Sequence, residues 1–419
     1  MSRVVIVGAG IGGCIAALAA KDADPSADVH VLAVSPERYR HEPGTIDVLG
    51  YVPDQQGPVA RPAARIDSLP ADHPYNLVGE DDLTRALAYL DDVFADSDRS
   101  TYRGTDRNAL APTVTGGVRP TYRYPVTVAA GLVSSQRPMH LVGLDCLTHI
   151  DADLVADRLD SVAPFDVTAS TVEFPIDATE TPPFEAFARA LDENNETSDG
   201  RPVREALARA VRPALDIESR VGFPPVLGVT QHDEIRRELE SQLQAAVFEL
   251  PVGEPNLPGI RLRERLFDRL DEAGIELTRA TVTEVSSTGG SIQSVNVATE
   301  TEQRSIEGDN FVLATGGVAS GGLVGTETEV VEPAFDCPVE SPEKHSEWSI
   351  SAPLGDHWFA RAGVDVTSEL KPTSRNGPVF ENLVAVGGVI GGHNFVEERS
   401  RSGVAVVTGY EAGRSAVDW

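Results

Sequence analysis

Glycines at positions 8, 10, 12 and 13 follow the apolar run Arg3-Val4-Val5-Ile6-Val7 directly, and such an arrangement can hold a phosphate. In the spacing Gly8-x-Gly10-x-x-Gly13, the first glycine permits a tight turn after a strand. Gly10 leaves a bare backbone face for a phosphate, and Gly13 lets a helix pack close to the strand. The small-residue run 14–20 reads as that helix. Its N-terminus offers unpaired N–H groups and the positive end of a dipole to an anion. The alternative is a glycine-rich turn with no ligand.

A second strand is expected over 28–34. About 20 residues after the glycines, an Asp or Glu ordinarily binds the ribose of an adenine dinucleotide. Here Ala33 holds that place, followed by Val34 and Ser35, with Glu37 only beyond Pro36. FMN has one phosphate and no adenosine, so it fits a cradle without that acid. FAD or NAD held by other contacts remains the alternative. The loop after this strand carries Gly44 and Thr45 and is expected to run beside the phosphate site.

Two further segments have cofactor character. The apolar run 310–314 ends in Thr315-Gly316. The run 382–386 enters a glycine cluster at Gly387, Gly388, Gly391 and Gly392, and a small-residue helix is expected over 402–413. Such glycines let backbone approach a flat ring. A helix N-terminus at Ser402 and Gly403 would favour the negative charge of a reduced flavin, by about 1 kcal/mol or less at an exposed helix end. The polar groups that could take part in chemistry are His41, His393, Arg399 and Arg401. The two arginines suit a substrate phosphate, or they pair with Glu397 and Glu398. His393 lies near the cofactor, or else caps a helix or faces solvent.

The elements that must position these residues fall into several stretches. A nucleotide-binding domain is expected over 1–95, 249–325 and 379–419. An inserted cap with its own sheet and helices is expected over 96–248, returning over 326–378. The fold class is α/β, Rossmann-like, with an inserted α+β domain. Within the insert, strands are expected at 127–130, 139–143 and 172–176, and helices at 151–159, 183–191 and 203–215. A helix opening near Asn256 should end at Ala273, with Gly274 as its C′ cap.

The chain has 419 residues, a net charge of −30 and only three lysines. Self-repulsion on that scale is relieved by concentrated salt, which points to a salty cytoplasm. An acidic docking surface for a basic partner is the rival reading. The sign of the charge disfavours nucleic acid. No apolar run reaches membrane-spanning length, and the N-terminal run lacks the basic flank of a signal peptide, so a cytoplasmic protein is expected. Three cysteines (Cys14, Cys146, Cys337) cannot supply a four-thiolate cluster, and no histidine spacing suggests a metal site.

The N-terminal fingerprint, the Ala314-Thr315-Gly316 strand end and the closing strand–glycine–helix segment together resemble two-domain flavoproteins of the FAD/NAD(P)-binding superfamily. The segments Gly44-Thr45-Ile46-Asp47-Val48-Leu49, His73-Pro74-Tyr75, Leu257-Pro258-Gly259-Ile260-Arg261-Leu262, Ser320-Gly321-Gly322-Leu323-Val324 and 382–392 narrow the likeness. They resemble the B-subunit family of anaerobic glycerol-3-phosphate dehydrogenases, and the acidity suggests a haloarchaeal member. The resemblance implies oxidation of sn-glycerol 3-phosphate to dihydroxyacetone phosphate, with electrons passing to quinone. It implies FMN here, an FAD-containing A subunit, and an iron–sulfur C subunit that anchors the complex to the inner face of the membrane. An independent FAD oxidoreductase and a non-catalytic scaffold that keeps the fold are the other readings.

Overall fold

The structure is a computed structural model that describes residues 2–34, 43–53, 55–95, 101–175, 184–216, 220–251, 256–342, 344–352 and 355–417. Packing divides the chain into two units, 1–38 with 47–97 and 263–419, and 39–46 with 98–262.

The first unit is built on a five-stranded sheet. Its strands are β1 (Arg3–Val7), β2 (Asp28–Ala33), β3 (Glu276–Arg279), β4 (Asn310–Leu313) and β5 (Leu383–Ala385). They lie in the order β3-β2-β1-β4-β5, all parallel. β1 is central, with Val4 to Val7 opposite both Val29–Leu32 and Asn310–Leu313. A central parallel strand is covered on both faces, which is why its sequence is apolar without alternation. Reversal of strand order around β1 opens a crevice at the carboxyl ends of β1 and β4, where ligands of such sheets bind.

Two helices of small residues pack in this unit, α1 (Ile11–Ala23) and α2 (Arg401–Ser415). They approach so closely that a side chain at Gly409 would meet the Gly12 carbonyl at 2.5 Å. One at Gly413 would meet that of Ala16 at 2.2 Å. Gly274 has φ +67° after the helix Leu257–Glu272, as a C′ residue should. An antiparallel meander, Thr281–Thr288, Ser291–Ala298 and Gln303–Glu307, follows β3. The Asn382 side chain donates to the Ile292 and Asp309 carbonyls and accepts from the Ile292 amide, tying the meander to the start of β5. The segment 326–378, expected in the cap, groups with this first unit. Val364 donates to Val389 and accepts from Gly391, so the segment runs along the glycine turn after β5.

The second unit has a four-stranded sheet in the order Val247–Glu249, Arg220–Phe223, Met139–Leu144, Val167–Val172, again all parallel. Helices Ala152–Asp160, Phe184–Glu193, Val203–Val211 and His232–Leu243 accompany it. Its core includes Phe187, Leu207, Phe223 and Leu239. The run expected as a strand at 127–130 is instead a 3-10 turn, Val126–Gly131. The Phe248 ring fills the space that a side chain at Gly131 would need, 2.3 Å away. The strand expected at 172–176 lies earlier, at 167–172, while Phe174 turns into the core against Phe187. This unit also runs past 248, where the sequence suggested a return to the first domain, as far as 262. Among the described residues no helix is long and apolar enough to cross a membrane.

Candidate flavin site

The fingerprint glycines serve different purposes. Gly8 has φ +120°, and a side chain there would strike the Ala314 carbonyl oxygen at 2.1 Å. It therefore allows the ends of β1 and β4 to converge. A side chain at Gly13 would strike the Gly8 oxygen at 1.9 Å, which is the close helix–strand contact expected from the motif. Gly12 faces the Ala405 oxygen at 3.2 Å, on α2. Gly10 differs from all three. It is the N-cap of α1, with φ −68° and ψ 177°, and a Cβ there would meet nothing within 4 Å among the described residues. No side chain caps this helix end, and its first turn carries no acid. An anion approaching over Gly10 meets none of the described residues there, and it meets the positive end of a thirteen-residue helix.

The other glycine turns converge on the same edge. Thr315 and Gly316 follow β4, and the Thr315 amide lies 2.9 Å from where a Gly8 side chain would be. The Thr315 hydroxyl is buried without a hydrogen-bond partner among the described residues, so a polar group is left for a ligand or water to satisfy. Gly317 and Gly388 touch backbone to backbone, since a Cβ at Gly317 would lie 2.5 Å from the Gly388 oxygen. Gly387, with φ +70°, donates its N–H to the Thr408 hydroxyl on α2 at 2.9 Å. The turns after β1, β4 and β5 thus come together. Gly391 and Gly392 lie farther along, against Gly363 and the Asp72 carbonyl.

Other predicted residues have protein partners instead. The Ser402 hydroxyl accepts from the Asp47 amide at 2.7 Å, and the Gly403 amide donates to the Asp47 carbonyl at 2.9 Å. Gly403 is needed as glycine because Tyr75 Oη would lie 2.2 Å from its side chain. The amide and hydroxyl offered to a flavin at the start of α2 are therefore engaged by the 47–48 backbone. Gly44 and Thr45 belong to the second unit. Gly44, at φ +68°, packs on Pro258, and its carbonyl accepts from the Tyr102 hydroxyl at 2.7 Å. His41 lies outside the described residues, as does Glu37.

A buried polar cluster follows Gly392. The Tyr75 amide donates to His73 Nδ1 at 3.1 Å, so the ring proton of neutral His73 sits on Nε2, facing Glu398 Oε2 at 3.1 Å. Glu398 also accepts from the Ser400 hydroxyl at 2.8 Å and from the Asn394 amide at 3.0 Å. Burial pushes the Glu398 carboxyl up, but His73, with His393 and the Asn394 amide adding to it, holds the net value below the ordinary one. Asn394, rather than His393, caps the short helix Phe395–Glu398, accepting from Val396 and Glu397.

His393 is 3% exposed, and the Gly391 backbone lies within reach of its ring. Burial lowers its pKa to about 4 against the opposing pull of Glu398, so the ring is neutral near pH 7. The His73 and His393 rings are 6.0 Å apart, edge to face. Arg399 adopts a left-handed backbone at φ +53°, and the Arg401 guanidinium lies over the Phe395 ring at 5.6 Å. His73, Tyr75, Asn394 and Glu398 were not singled out as site residues from the sequence. The visible signals were Pro74 at a helix start and Asn394 before a short helical run.

The chain matches the FAD binding domain family over residues 3–403. It is 41% identical to a Halobacterium salinarum protein named as the probable B subunit of an anaerobic glycerol-3-phosphate dehydrogenase, covering 100% of this chain and 98% of that one. It is 25% identical to the protein named as the B subunit of the anaerobic glycerol-3-phosphate dehydrogenase of Actinobacillus pleuropneumoniae, covering 97% and 96%. Among solved structures it is similar to the open conformation of a flavocytochrome c3 fumarate reductase, with 10% identity, coverage of 100% and 78%, and a TM-score of 0.42. The chain belongs to the FAD-binding flavoproteins and, within them, to the B-subunit family of anaerobic glycerol-3-phosphate dehydrogenases. The FMN expectation drawn from Ala33 finds no support in a family defined by FAD. The absence of an acid at the end of β2 does not decide the matter, because the segment just after it lies outside the described residues.

Proposed function

We propose that this chain is the flavin-holding subunit of a multisubunit dehydrogenase that oxidises glycerol 3-phosphate to dihydroxyacetone phosphate and passes electrons towards quinone. The observation that carries the reading is the uncapped N-terminus of α1, with space over Gly10 left open by the described residues, inside a chain of an FAD-binding family. The flavin is FAD, its phosphate over Gly10. Thr315, Gly316, Gly387 and Gly388 form the remainder of the cradle. The bound flavin supplies the hydride acceptor. The protein's part is to hold it at the edge of the sheet and to place the substrate beside it.

The names of the relatives support a complex, since each describes one polypeptide of a larger enzyme. An FAD-containing A subunit and an iron–sulfur C subunit at the membrane are the proposed partners. Three cysteines in the whole chain support placing any iron–sulfur relay on another polypeptide. The acidic surface supports a haloarchaeal setting.

The test is to purify the chain in concentrated KCl, release bound cofactor with acid and identify it by mass. FAD is expected. FMN would restore the reading from Ala33. No flavin, even after reconstitution with both, would overturn the flavin assignment.

A further inference from the structure

We infer that Thr408 is a positioning residue for the flavin, its buried hydroxyl fixing the Gly387–Gly388 turn against which the cofactor lies. This deepens the proposed function and rests on it. The residues Gly387–Val389 form a single 3-10 turn after β5. The first amides of such a turn have no acceptor within it, and Gly387 is buried, so its amide needs a partner from elsewhere. Thr408 supplies one. Its hydroxyl accepts from the Gly387 amide at 2.9 Å and donates to the Val404 carbonyl at 2.7 Å. Serving as acceptor and donor at once, the hydroxyl is held in one orientation. Gly388, one residue on, is partly exposed and lies against Gly317 after β4. The buried end of the turn is thus fastened to α2, and the glycine beyond it is the one left to the cradle.

Filling space does not by itself call for a threonine here. Thr408 is fully buried on a helix whose Val404, Val406 and Val407 are buried too. A buried hydroxyl is costly unless bonded, and a threonine that bonds back to the carbonyl four residues earlier slightly weakens its helix. What the hydroxyl adds is the bond to Gly387. Ala405, three residues before Thr408 and so on the same face of α2, supports the same turn, 3.4 Å from where a Gly387 side chain would be. The Ala405 carbonyl also lies 3.2 Å from where a Gly12 side chain would be, on α1. One face of α2 therefore sets the turn after β5 relative to the helix whose N-terminus is assigned to the phosphate.

The experiment uses the full chain in concentrated KCl. FAD is titrated and followed by its fluorescence and by the visible circular dichroism of the bound flavin, beside thermal unfolding of the flavin-free chain. Thr408→Val nearly keeps the volume and loses the acceptor, whereas Thr408→Ser keeps the acceptor and loses a methyl group. Both should lower the thermal midpoint. Thr408→Val alone should weaken FAD, about tenfold, and alter the visible dichroism, while Thr408→Ser should bind within about twofold of the parent. A merely structural role would make FAD affinity follow the thermal midpoint in both variants. If Thr408→Val does not fold, Thr408→Ala takes its place, since it differs from Thr408→Ser by the hydroxyl, and the same tenfold gap is expected between those two. Parental affinity and dichroism in Thr408→Val, or equal weakening in the variants with and without the hydroxyl, would overturn the inference and leave the flavin assignment standing. A parent chain that binds no FAD would overturn the flavin assignment itself, and the inference with it.

Discussion

Replacing Gly10 by valine separates the ligand from the fold. The position has φ −68° and ψ 177°, which an L-residue adopts freely, and a Cβ there meets no atom of the described residues within 4 Å. The folded state should therefore accept the side chain. Fewer conformations in the unfolded chain, about 0.4–1 kcal/mol, offset the loss of the glycine preferred at a helix N-cap, so stability should change little. A phosphate over the same backbone would be pushed off. Hydrogen bonds to a charged group are worth about 1.5–3 kcal/mol each. Losing two of them would weaken flavin binding by roughly 10²- to 10⁴-fold. Thermal unfolding of the flavin-free chain in concentrated KCl reads the first effect, and quenching of flavin fluorescence on titration reads the second. Gly13→Ala is the matched opposite. Its Cβ would lie 1.9 Å from the Gly8 oxygen, so it should lose stability by about 1–3 kcal/mol or more. Unchanged flavin affinity in Gly10→Val would refute the placement of the phosphate.

Three further outcomes follow from the packing and the buried charges. The His393 pKa is about 4 when folded, below the ~6.5 of an exposed ring, so the unfolded chain binds the proton more tightly. Stability should fall as pH drops from about 6.5 towards 4, with about 2 kcal/mol of the loss complete by pH 5. His393→Gln should flatten denaturation midpoints across that window by the same amount, and equal slopes in both proteins would count against the buried neutral ring. In the second unit, Glu249 is fully buried, and its oxygens accept from Arg261 at 2.6 and 3.0 Å. Arg261→Met should cost about 3–5 kcal/mol in chemical unfolding, with part recovered on adding Glu249→Gln. Gly413→Leu, aimed at the Ala16 carbonyl only 2.2 Å away, should lower the thermal midpoint through a loss of about 1–3 kcal/mol, and a neutral result would mean that α1 and α2 lie farther apart.

What the sequence made legible was local. β1 and β4 could be read because strands buried on both faces are apolar throughout, and α1 because a strand–glycine–helix unit is contiguous. Strand order was not legible. β2 pairs with β3 through His30 and Glu276, and no local pattern encodes a partner that far along the chain. The return of 326–378 to the first unit was hidden for the same reason, since it depends on the pairing of Val364 with Ile390. The His73–Glu398 pair joins residues 325 positions apart that carry no spacing signal.

The glycines show the limit most clearly, because in the sequence they look alike. Gly8 and Gly13 are glycines because protein backbone lies where a side chain would be, and Gly409 and Gly413 because α1 does. A glycine-rich helix such as α2 is thus as much a packing surface as a ligand signal. Gly403 illustrates this, since Tyr75 and the 47–48 backbone, rather than a ring, occupy its open side. Among the described residues, Gly10 alone of the fingerprint glycines has nothing packed where its side chain would be. A missing side chain with no protein atom to explain it is evidence for a ligand, whereas one explained by packing is evidence only for the fold. By that criterion the phosphate site reduces to one residue of the motif, and Gly10→Val tests it without disturbing the others.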